Sequence, residues 1–256
     1  MLARLALLLL ISTVAYGQEG SGSAAGSGSG SGSGPAVASD PEAQAAFDRA
    51  EKTWMDASGL AVGVTAEFVA PEEPSIDGSR VAGTFHAAGP SCALRWAGKV
   101  DGNAARLVYV VSGTRSARAE WTGDDKEPPL DPREIDAAHV GHLRRAAFRG
   151  SMFLLGRKHL DPSQFAVVNI RLLEPGSEEG REICRIAYEL KIEDQPETAK
   201  VELWLDASGL PKRRILKVSN HPGRPVVTLT ETYEAKIGDV PAERFAIPEA
   251  KPEPPK

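Results

Sequence analysis

The sequence predicts an α+β fold, in which antiparallel strands with one apolar face form a layer or open barrel and helices lie against that face. The main observation is that apolar and polar residues alternate in one segment after another, as in half-buried strands. Gly, Pro, Asp and Asn separate these segments, which is typical of hairpin turns. Helical patterns interrupt the strands, so the expected order is helix, strands, helices, strands.

The first helix is predicted from Pro41 to Ser58. Ser39-Asp40 supplies a capping residue, a proline follows in the first turn, and Glu42 faces the positive end of the helix. An apolar stripe at helical spacing indicates that this helix lies on another apolar surface. The stripe consists of Ala43, Phe47, Ala50 and Trp54. Gly59 is the expected C-terminal cap.

Strands with a period of two residues are predicted on both sides of a central helical region. Before that region they are expected at Leu60–Phe68, Arg80–Ala87, Ala93–Lys99, Ala105–Val111 and Arg115–Trp121. After it they are expected at 183–192, Val201–Leu205 and 227–233. The alternation in 183–192 is the most regular, with Cys184, Ile186, Tyr188, Leu190 and Ile192 on one side.

The central helical region is predicted to begin at Asp131, because Asp131-Pro132 followed by Glu134 matches a helix start. This helix is expected to continue to about Arg149, where Gly150 breaks it. A short further helix is predicted over Met152–Leu160. It begins with four consecutive apolar residues, so it is expected to be covered on more than one side.

The two ends of the chain are predicted to lie outside the folded domain. Residues 1–17 resemble a signal peptide that is cleaved after Gly17, which predicts a periplasmic protein. The alternative is an uncleaved membrane anchor, but the apolar stretch is short for a membrane span. Residues 18–38 are rich in Gly and Ser and predict a flexible linker. With a proline-rich tail at 249–256, the folded domain is expected over 39–248.

Charge and cysteine content limit the partners. The chain has 30 Lys and Arg against 35 Asp and Glu, and no basic cluster, which argues against binding to nucleic acids or to anionic membrane surfaces. The only cysteines are Cys92 and Cys184. In an oxidising compartment they could form one disulfide, or they could be two separately buried thiols, and the sequence leaves both alternatives open.

The C-terminal part of the chain resembles a known family. Residues 201–215 contain an apolar strand, a D-x-x-G-L-P turn and a return strand that mixes basic and apolar residues. A strand at Thr228–Ile237 and a closing Phe245-x-x-Pro248 element follow. These features are similar to those of the periplasmic lipoprotein carriers, the LolA-like family, and the order of elements extends the resemblance over Pro41–Pro248.

The resemblance implies an open (incomplete) antiparallel β-barrel with helices that cover an apolar concave face. It implies an exported binding protein that carries lipidated cargo or lipid acyl chains in an apolar cavity. The alternative is a tethered envelope sensor or interaction domain of the same fold without a transport role, and the Gly/Ser linker favours it. The expected partners are a lipid or an acylated lipoprotein, with envelope proteins as further candidates.

Apolar residues of the helical region and of the regular strands are the candidates for contact with an acyl chain. They are Phe85, Leu94, Trp96, Met152, Phe153, Leu155, Ile186, Tyr188 and Leu190. Ordinary core packing is the alternative for each of them. The segment Gly150–Leu160 is further predicted to be a mobile lid, with Gly150 and Gly156 as hinges.

Catalytic and metal motifs are not recognised. His139 and His142 share a predicted helix face, but no third ligand follows at a recognisable spacing and the H-E-x-x-H pattern is missing. Ser151 lacks the G-x-S-x-G context of an exposed nucleophile. The chain also has no P-loop and no dinucleotide fingerprint. The sequence therefore predicts no enzyme, metal site or cofactor.

Overall fold

The computed structural model describes a folded region between residues 40 and 247. The described residues are 40–74, 76–100, 102–123, 128–153, 155, 162–178, 180–192, 198–219 and 226–247. The expected signal peptide, Gly/Ser linker and C-terminal tail lie outside these ranges. Among the described helices none is long and apolar enough to span a membrane.

Strands dominate the described ranges, and two α-helices interrupt them. The helices are α1 (Pro41–Asp56) and α2 (His139–Arg149), with the short 3₁₀ helices η1 (Pro162–Gln164) and η2 (Ala242–Phe245). The strands before α2 are β1 (Gly59–Val69), β2 (Arg80–Ala88), β3 (Ser91–Val100), β4 (Asn103–Ser112), β5 (Arg115–Thr122) and β6 (Asp131–Glu134). Those after it are β7 (Phe165–Leu172), β8 (Gly176–Glu178), β9 (Arg181–Ile192), β10 (Thr198–Leu205), β11 (Pro211–Ser219) and β12 (Val226–Ile237).

The strands form one antiparallel sheet in the order β6-β5-β4-β3-β2-β1-β12-β11-β10-β9-β7, and β8 pairs with β9. The pairing of β1 with β12 joins the first and last strands of the chain, from Leu60 opposite Ile237 to Val69 opposite Thr228. Strands β6 and β7 end the order without pairing with each other, so within the described residues the sheet stays open. The predicted α+β fold, an open antiparallel barrel with helices on one face, is confirmed.

Both helices cover the same face of the sheet, here called the inner face. Trp54 of α1 stacks on Phe85 of β2, with ring centroids 6.0 Å apart. Phe47 of α1 meets Phe148 of α2 and Tyr188 of β9 edge-on, at 5.3 Å in each case. The predicted stripe of α1 is buried at each position: Ala43, Phe47, Ala50 and Trp54. The inner face and the two helices therefore share one apolar core.

A smaller apolar cluster lies on the opposite, outer face. Phe245 of η2 packs there with Ala93 and Val110 of strands β3 and β4. Arg95 donates a hydrogen bond to the carbonyl oxygen of Arg244 at 3.1 Å, which fixes η2 to the sheet. Helix η2 is thus held on the side of the sheet away from α1 and α2.

The helix predicted to start at Asp131 is wrong for its first turns. Asp131–Glu134 form the edge strand β6, which pairs with Arg115–Arg118 of β5. A proline is tolerated in an edge strand, so the sequence pattern of a helix start also suits this position. The helix begins at His139. It follows a turn in which Asp136 accepts bonds from the Ala138 and His139 amides.

One further predicted helix and the end of α1 also differ from the predictions. The described residues of the predicted helix Met152–Leu160 are not helical, since Met152, Phe153 and Leu155 lie in turns; the others from 154 to 160 lie outside the described ranges. Helix α1 ends at Asp56, and Gly59 is the first residue of β1 instead of a helix cap. A Cβ at Gly59 would lie 2.1 Å from the Gly238 carbonyl oxygen, so this position requires glycine for close approach.

Candidate ligand-binding site

The residues predicted to contact an acyl chain are all buried and belong to the inner-face core. Strand β2 supplies Phe85, β3 supplies Leu94 and Trp96, β9 supplies Ile186, Tyr188 and Leu190, and the turn after α2 supplies Met152, Phe153 and Leu155. The structure thus places these residues on one side of the sheet. This arrangement is compatible both with core packing and with a ligand site.

Only some of these residues surround a pocket. An empty volume of about 200 Å³, which includes its opening to solvent, lies between strands β2–β4, helix α2 and the turn that follows it. Its lining residues are Phe85, Cys92, Leu94, Tyr109, Val111, Leu143 and Leu155. Pockets for drug-sized ligands measure about 300–1,000 Å³. The inner face is therefore largely filled by the protein's own side chains.

The other predicted residues lie around this pocket or away from it. Trp96 meets Phe153 edge-on at 6.0 Å, which brings the turn after α2 against β3. Tyr188 donates to the carbonyl oxygen of Arg149 at 2.6 Å and contacts α1 through Phe47, so it lies under the two helices. Ile186 and Leu190, on the same strand, do not line the pocket.

A buried ion pair, which the sequence patterns above did not predict, holds the turn that follows α2. Arg214 of β11 and Glu231 of β12 are both 0 % exposed, with Nη1 and Oε2 3.1 Å apart. Arg214 donates to the carbonyl oxygens of Ala147, Phe148 and Gly150 at the end of α2. Its positive charge therefore lies at the negative end of the helix, where it is favourable.

Glu231 binds the next residues of the same turn. Its Oε1 accepts a hydrogen bond from the Ser151 hydroxyl at 2.7 Å and one from the Met152 amide at 3.0 Å. Tyr233 joins this network through Arg214 and Glu231. Burial raises the pKa of Tyr233 well above its ordinary value, so its hydroxyl stays protonated. Residues 147–152 are consequently fixed to β11 and β12.

Helix α2 is fixed to α1 as well. Arg144 donates to the carbonyl oxygens of Trp54 and Ala57, at 2.9 Å each, and the Trp54 indole N–H donates to the Arg144 carbonyl at 2.8 Å. At the C-terminal end of α2, Arg149 forms a two-point ion pair with Glu51 of α1, at 2.6 and 3.0 Å. The two helices therefore cover the inner face as one connected layer.

Polar groups occur at one part of the pocket. Tyr109 of β4 is a lining residue, and its hydroxyl lies 2.7 Å from Nε2 of His139, the first residue of α2. Burial raises the pKa of Tyr109 to about 12, so the phenol remains protonated at neutral pH. Nε2 of His139, one of the two histidines considered as metal ligands, thus contacts a tyrosine hydroxyl. In the described part of the chain no group of His, Cys, Asp and Glu side chains could hold a metal ion.

Both cysteines are thiols, so the alternative of a disulfide is wrong. Cys92 lines the pocket, and burial raises its pKa to about 12. Cys184 is only half-buried. Ser151 is fully buried and donates to Glu231, which leaves its hydroxyl no access to a substrate.

Comparison with known proteins gives distant likenesses of fold. No family model matches the sequence, and no curated protein matches it. Similar solved structures include the lipoprotein LppX of Mycobacterium tuberculosis, with 14% identity, a TM-score of 0.39 and coverage of 76% of this chain and 95% of that one. LprF from Mycobacterium bovis has 10% identity, a TM-score of 0.40 and coverage of 77% and 93%. A LolA superfamily protein from Nitrosomonas europaea has 12% identity, a TM-score of 0.32 and coverage of 80% and 97%.

Proposed function

We propose that this protein binds acyl chains of lipids or of lipidated proteins between the inner face of its sheet and its helices, and that it acts as an exported carrier and not as an enzyme. The observation that supports this proposal is the apolar pocket between β2–β4 and α2. Three residues that the sequence suggests as ligand contacts, Phe85, Leu94 and Leu155, line it. The LolA-like resemblance of the C-terminal strands supports the same class of ligand.

The energetics of the pocket favour a hydrocarbon ligand. Burial of an acyl chain stabilises a complex by about 0.8 kcal/mol per CH₂ group. The lining is mostly hydrocarbon, with Phe85, Leu94, Val111, Leu143 and Leu155 among its members. A chain buried there loses no hydrogen bonds and leaves few polar groups of the protein unpaired.

A longer chain requires displacement of side chains around the pocket. We propose that Met152, Phe153 and Trp96 adapt to the ligand, because Phe153 and Trp96 form the contact between the turn after α2 and the sheet. Methionine has a flexible, polarisable side chain that adjusts to irregular apolar surfaces. In this proposal Ile186, Tyr188 and Leu190 line the far part of an expanded cavity.

The second candidate is a tethered envelope sensor or interaction domain without a transport role. The Gly/Ser-rich sequence from Gly20 to Gly34 favours it, because a flexible tether suits a domain that must reach a partner.

For either function we propose export to the periplasm, with a mature chain that begins at Gln18. N-terminal sequencing of the exported protein tests this start, and an intact Met1 would contradict it.

Native mass spectrometry of the exported full chain, purified without detergent, tests the proposed function. A carrier should retain lipid, or take up palmitoyl lipid when incubated with it, and should release it to acceptor vesicles. Phe153→Ala should weaken uptake, whereas Val226→Ala, at a position that is 51% exposed, should leave it unchanged. A protein that never shows a lipid adduct contradicts the carrier and favours the sensor or interaction domain.

A further inference from the structure

One edge of the pocket carries hydrogen-bond donors. The Tyr109 hydroxyl and the His139 ring lie 2.7 Å apart, and their rings meet edge-on with centroids 6.3 Å apart. Tyr109 also lines the pocket, next to Leu94 and Leu143. A polar pair in contact with an apolar cavity matches the general design of small-molecule sites, in which a few polar groups fix one end of an apolar ligand.

A positive charge lies beside this pair. Arg118 of β5 is directly opposite Tyr109 of β4, so the two side chains share the inner face. Burial raises the pKa of Tyr109, and the positive charge of Arg118 opposes this effect, which indicates that the guanidinium is near the phenol. The Arg118 side chain is 22% exposed, so it borders both the core and solvent.

Two carboxylates lie at this edge, and each pairs with an arginine. Asp131 of β6 is opposite Arg118 and pairs with Arg133. Glu120 is two residues along β5 and forms an ion pair with Nη2 of Arg118. A guanidinium has further N–H donors in a fixed planar arrangement, and these can bind a second carboxylate. When Nε2 of His139 supplies the proton of their mutual contact, the Tyr109 hydroxyl is free to donate its own proton to a ligand. A carboxylate is an acceptor only and thus suits this set of donors.

We propose that the pocket selects the carboxylate end of a free fatty acid. Arg118 and Tyr109 hold the carboxylate at the edge of the pocket, His139 orients the Tyr109 hydroxyl, and the chain passes between Leu94 and Leu143. This inference rests on the proposed binding of acyl chains and deepens it by naming the ligand class. The oxygens of an ester accept weaker hydrogen bonds from a guanidinium than those of a carboxylate, so an ester should bind more weakly.

Displacement of a fluorescent fatty-acid probe from the full chain by palmitate, methyl palmitate and hexadecanol tests the inference. The wild type should bind palmitate at least about ten-fold more tightly than the two uncharged analogues, since hydrogen bonds to charged groups are the stronger ones. Tyr109→Phe and Arg118→Gln should each weaken palmitate binding about ten-fold and leave the uncharged analogues unaffected. Arg213→Gln is the matched control. Arg214 faces the core, so its neighbour Arg213 lies on the outer face, where it stacks on Trp204 and is away from the pocket.

The outcomes separate this inference from the proposed function. Equal affinity of the wild type for palmitate and methyl palmitate would overturn the carboxylate site and leave acyl-chain binding intact. Retention of the preference in both Tyr109→Phe and Arg118→Gln would overturn it as well. Absence of binding for all three compounds would overturn the proposed function together with the inference. Thermal melts of the variants establish that they are folded.

Discussion

The buried ion pair of Arg214 and Glu231 determines where the turn after α2 lies. Removal of two charges from water is costly, and the pair persists because nearly every bond that its groups can form is satisfied by the backbone of residues 147–152, by Ser151 or by Tyr233. Burial alone would lower the pKa of Arg214, but the neighbouring Tyr233, Tyr188 and Glu231 raise it above its ordinary value, so the guanidinium keeps its charge. Each charge therefore depends on the other.

A double-mutant cycle measures this dependence. Arg214→Met should lower the free energy of unfolding by about 3–5 kcal/mol, because it leaves Glu231 buried without its partner. Glu231→Leu should cost a similar amount for the same reason, and the double variant should cost clearly less than the sum. Urea unfolding gives the values, and Arg213→Met on the neighbouring position is the control. Additive effects would show that the two charges are not coupled.

The two thiols should differ in reactivity. Burial raises the pKa of Cys92 to about 12, and a thiol must ionise to react, so Cys92 should resist iodoacetamide at about pH 8 until the protein unfolds. Cys184 is half-buried, and although burial raises its pKa too, it should react first, and faster as the pH rises. Mass spectrometry of tryptic peptides measures both rates. Equal rates, or no alkylation in denaturant without a reductant, would contradict this assignment.

At the scale of elements, close backbone approach limits where side chains fit. Strand β1 begins at Gly59, where the backbone of Gly238 after β12 leaves no space for a Cβ. In helix α2, by contrast, a Cβ at Gly141 would meet no atom within 4 Å. The junction of β1 with the end of β12 is thus tightly specified, whereas the exposed side of α2 is not.

These two glycines make a matched pair of substitutions. Gly59→Ala should destabilise the protein by more than about 1 kcal/mol, since the strand must shift away from a carbonyl oxygen. Gly141→Ala should stabilise it by about 0.5–1 kcal/mol, because alanine loses less conformational entropy in a helix. Thermal or urea unfolding compares them. A stabilising Gly59→Ala would mean that β1 and the end of β12 are further apart than described.

The connection between α2 and the sheet also bears on the predicted lid. A hinge at Gly150 requires residues that open easily, but the Met152 amide donates to a buried carboxylate and Gly150 accepts from Arg214. The beginning of the predicted lid, Gly150–Met152, is therefore fixed to the sheet. Any gating motion must leave residues 147–152 in place or break the ion pair.

Hydrogen exchange tests this attachment to the sheet. The amide of Met152 should exchange as slowly as those of Cys184–Ile192 in the protein without lipid, because its donor bond is fully buried. In Arg214→Met the exchange of Met152 and Phe153 should accelerate, while that of β9 should change little. Fast exchange of Met152 in the wild type would instead support a hinge at Gly150.

At the scale of the whole molecule, α1 and most strands follow from patterns that the sequence displays. The order of the strands in the sheet and the site depend on contacts between residues far apart in the chain. Alternation of apolar residues identified most strands, and the stripe that ends at Trp54 identified α1. The start of α2 was missed because the residues at Asp131 suit both a helix cap and an edge strand, and only pairing with β5 decides between them.

The buried charges were missed for a related reason. A charged residue in an alternating strand is normally assigned to the solvent side. Glu231 lies two residues from both Leu229 and Tyr233, so strict alternation places it on the inner face, and this signal could have identified it. The pocket itself brings together residues of β2, β3, β4 and α2, and their register across the sheet cannot be obtained from local patterns.

The most direct test of the central claim, that acyl chains bind at the inner face, fills the pocket with a larger side chain. Val111 lines the pocket, and its neighbour Val110 lies on the outer face against Phe245. Both are fully buried in the same strand, so Val111→Phe and Val110→Phe should carry similar overpacking costs of about 1–3 kcal/mol. We predict that displacement titration with palmitate shows binding by the wild type and by Val110→Phe, and none by folded Val111→Phe. Undiminished binding by Val111→Phe would contradict the account.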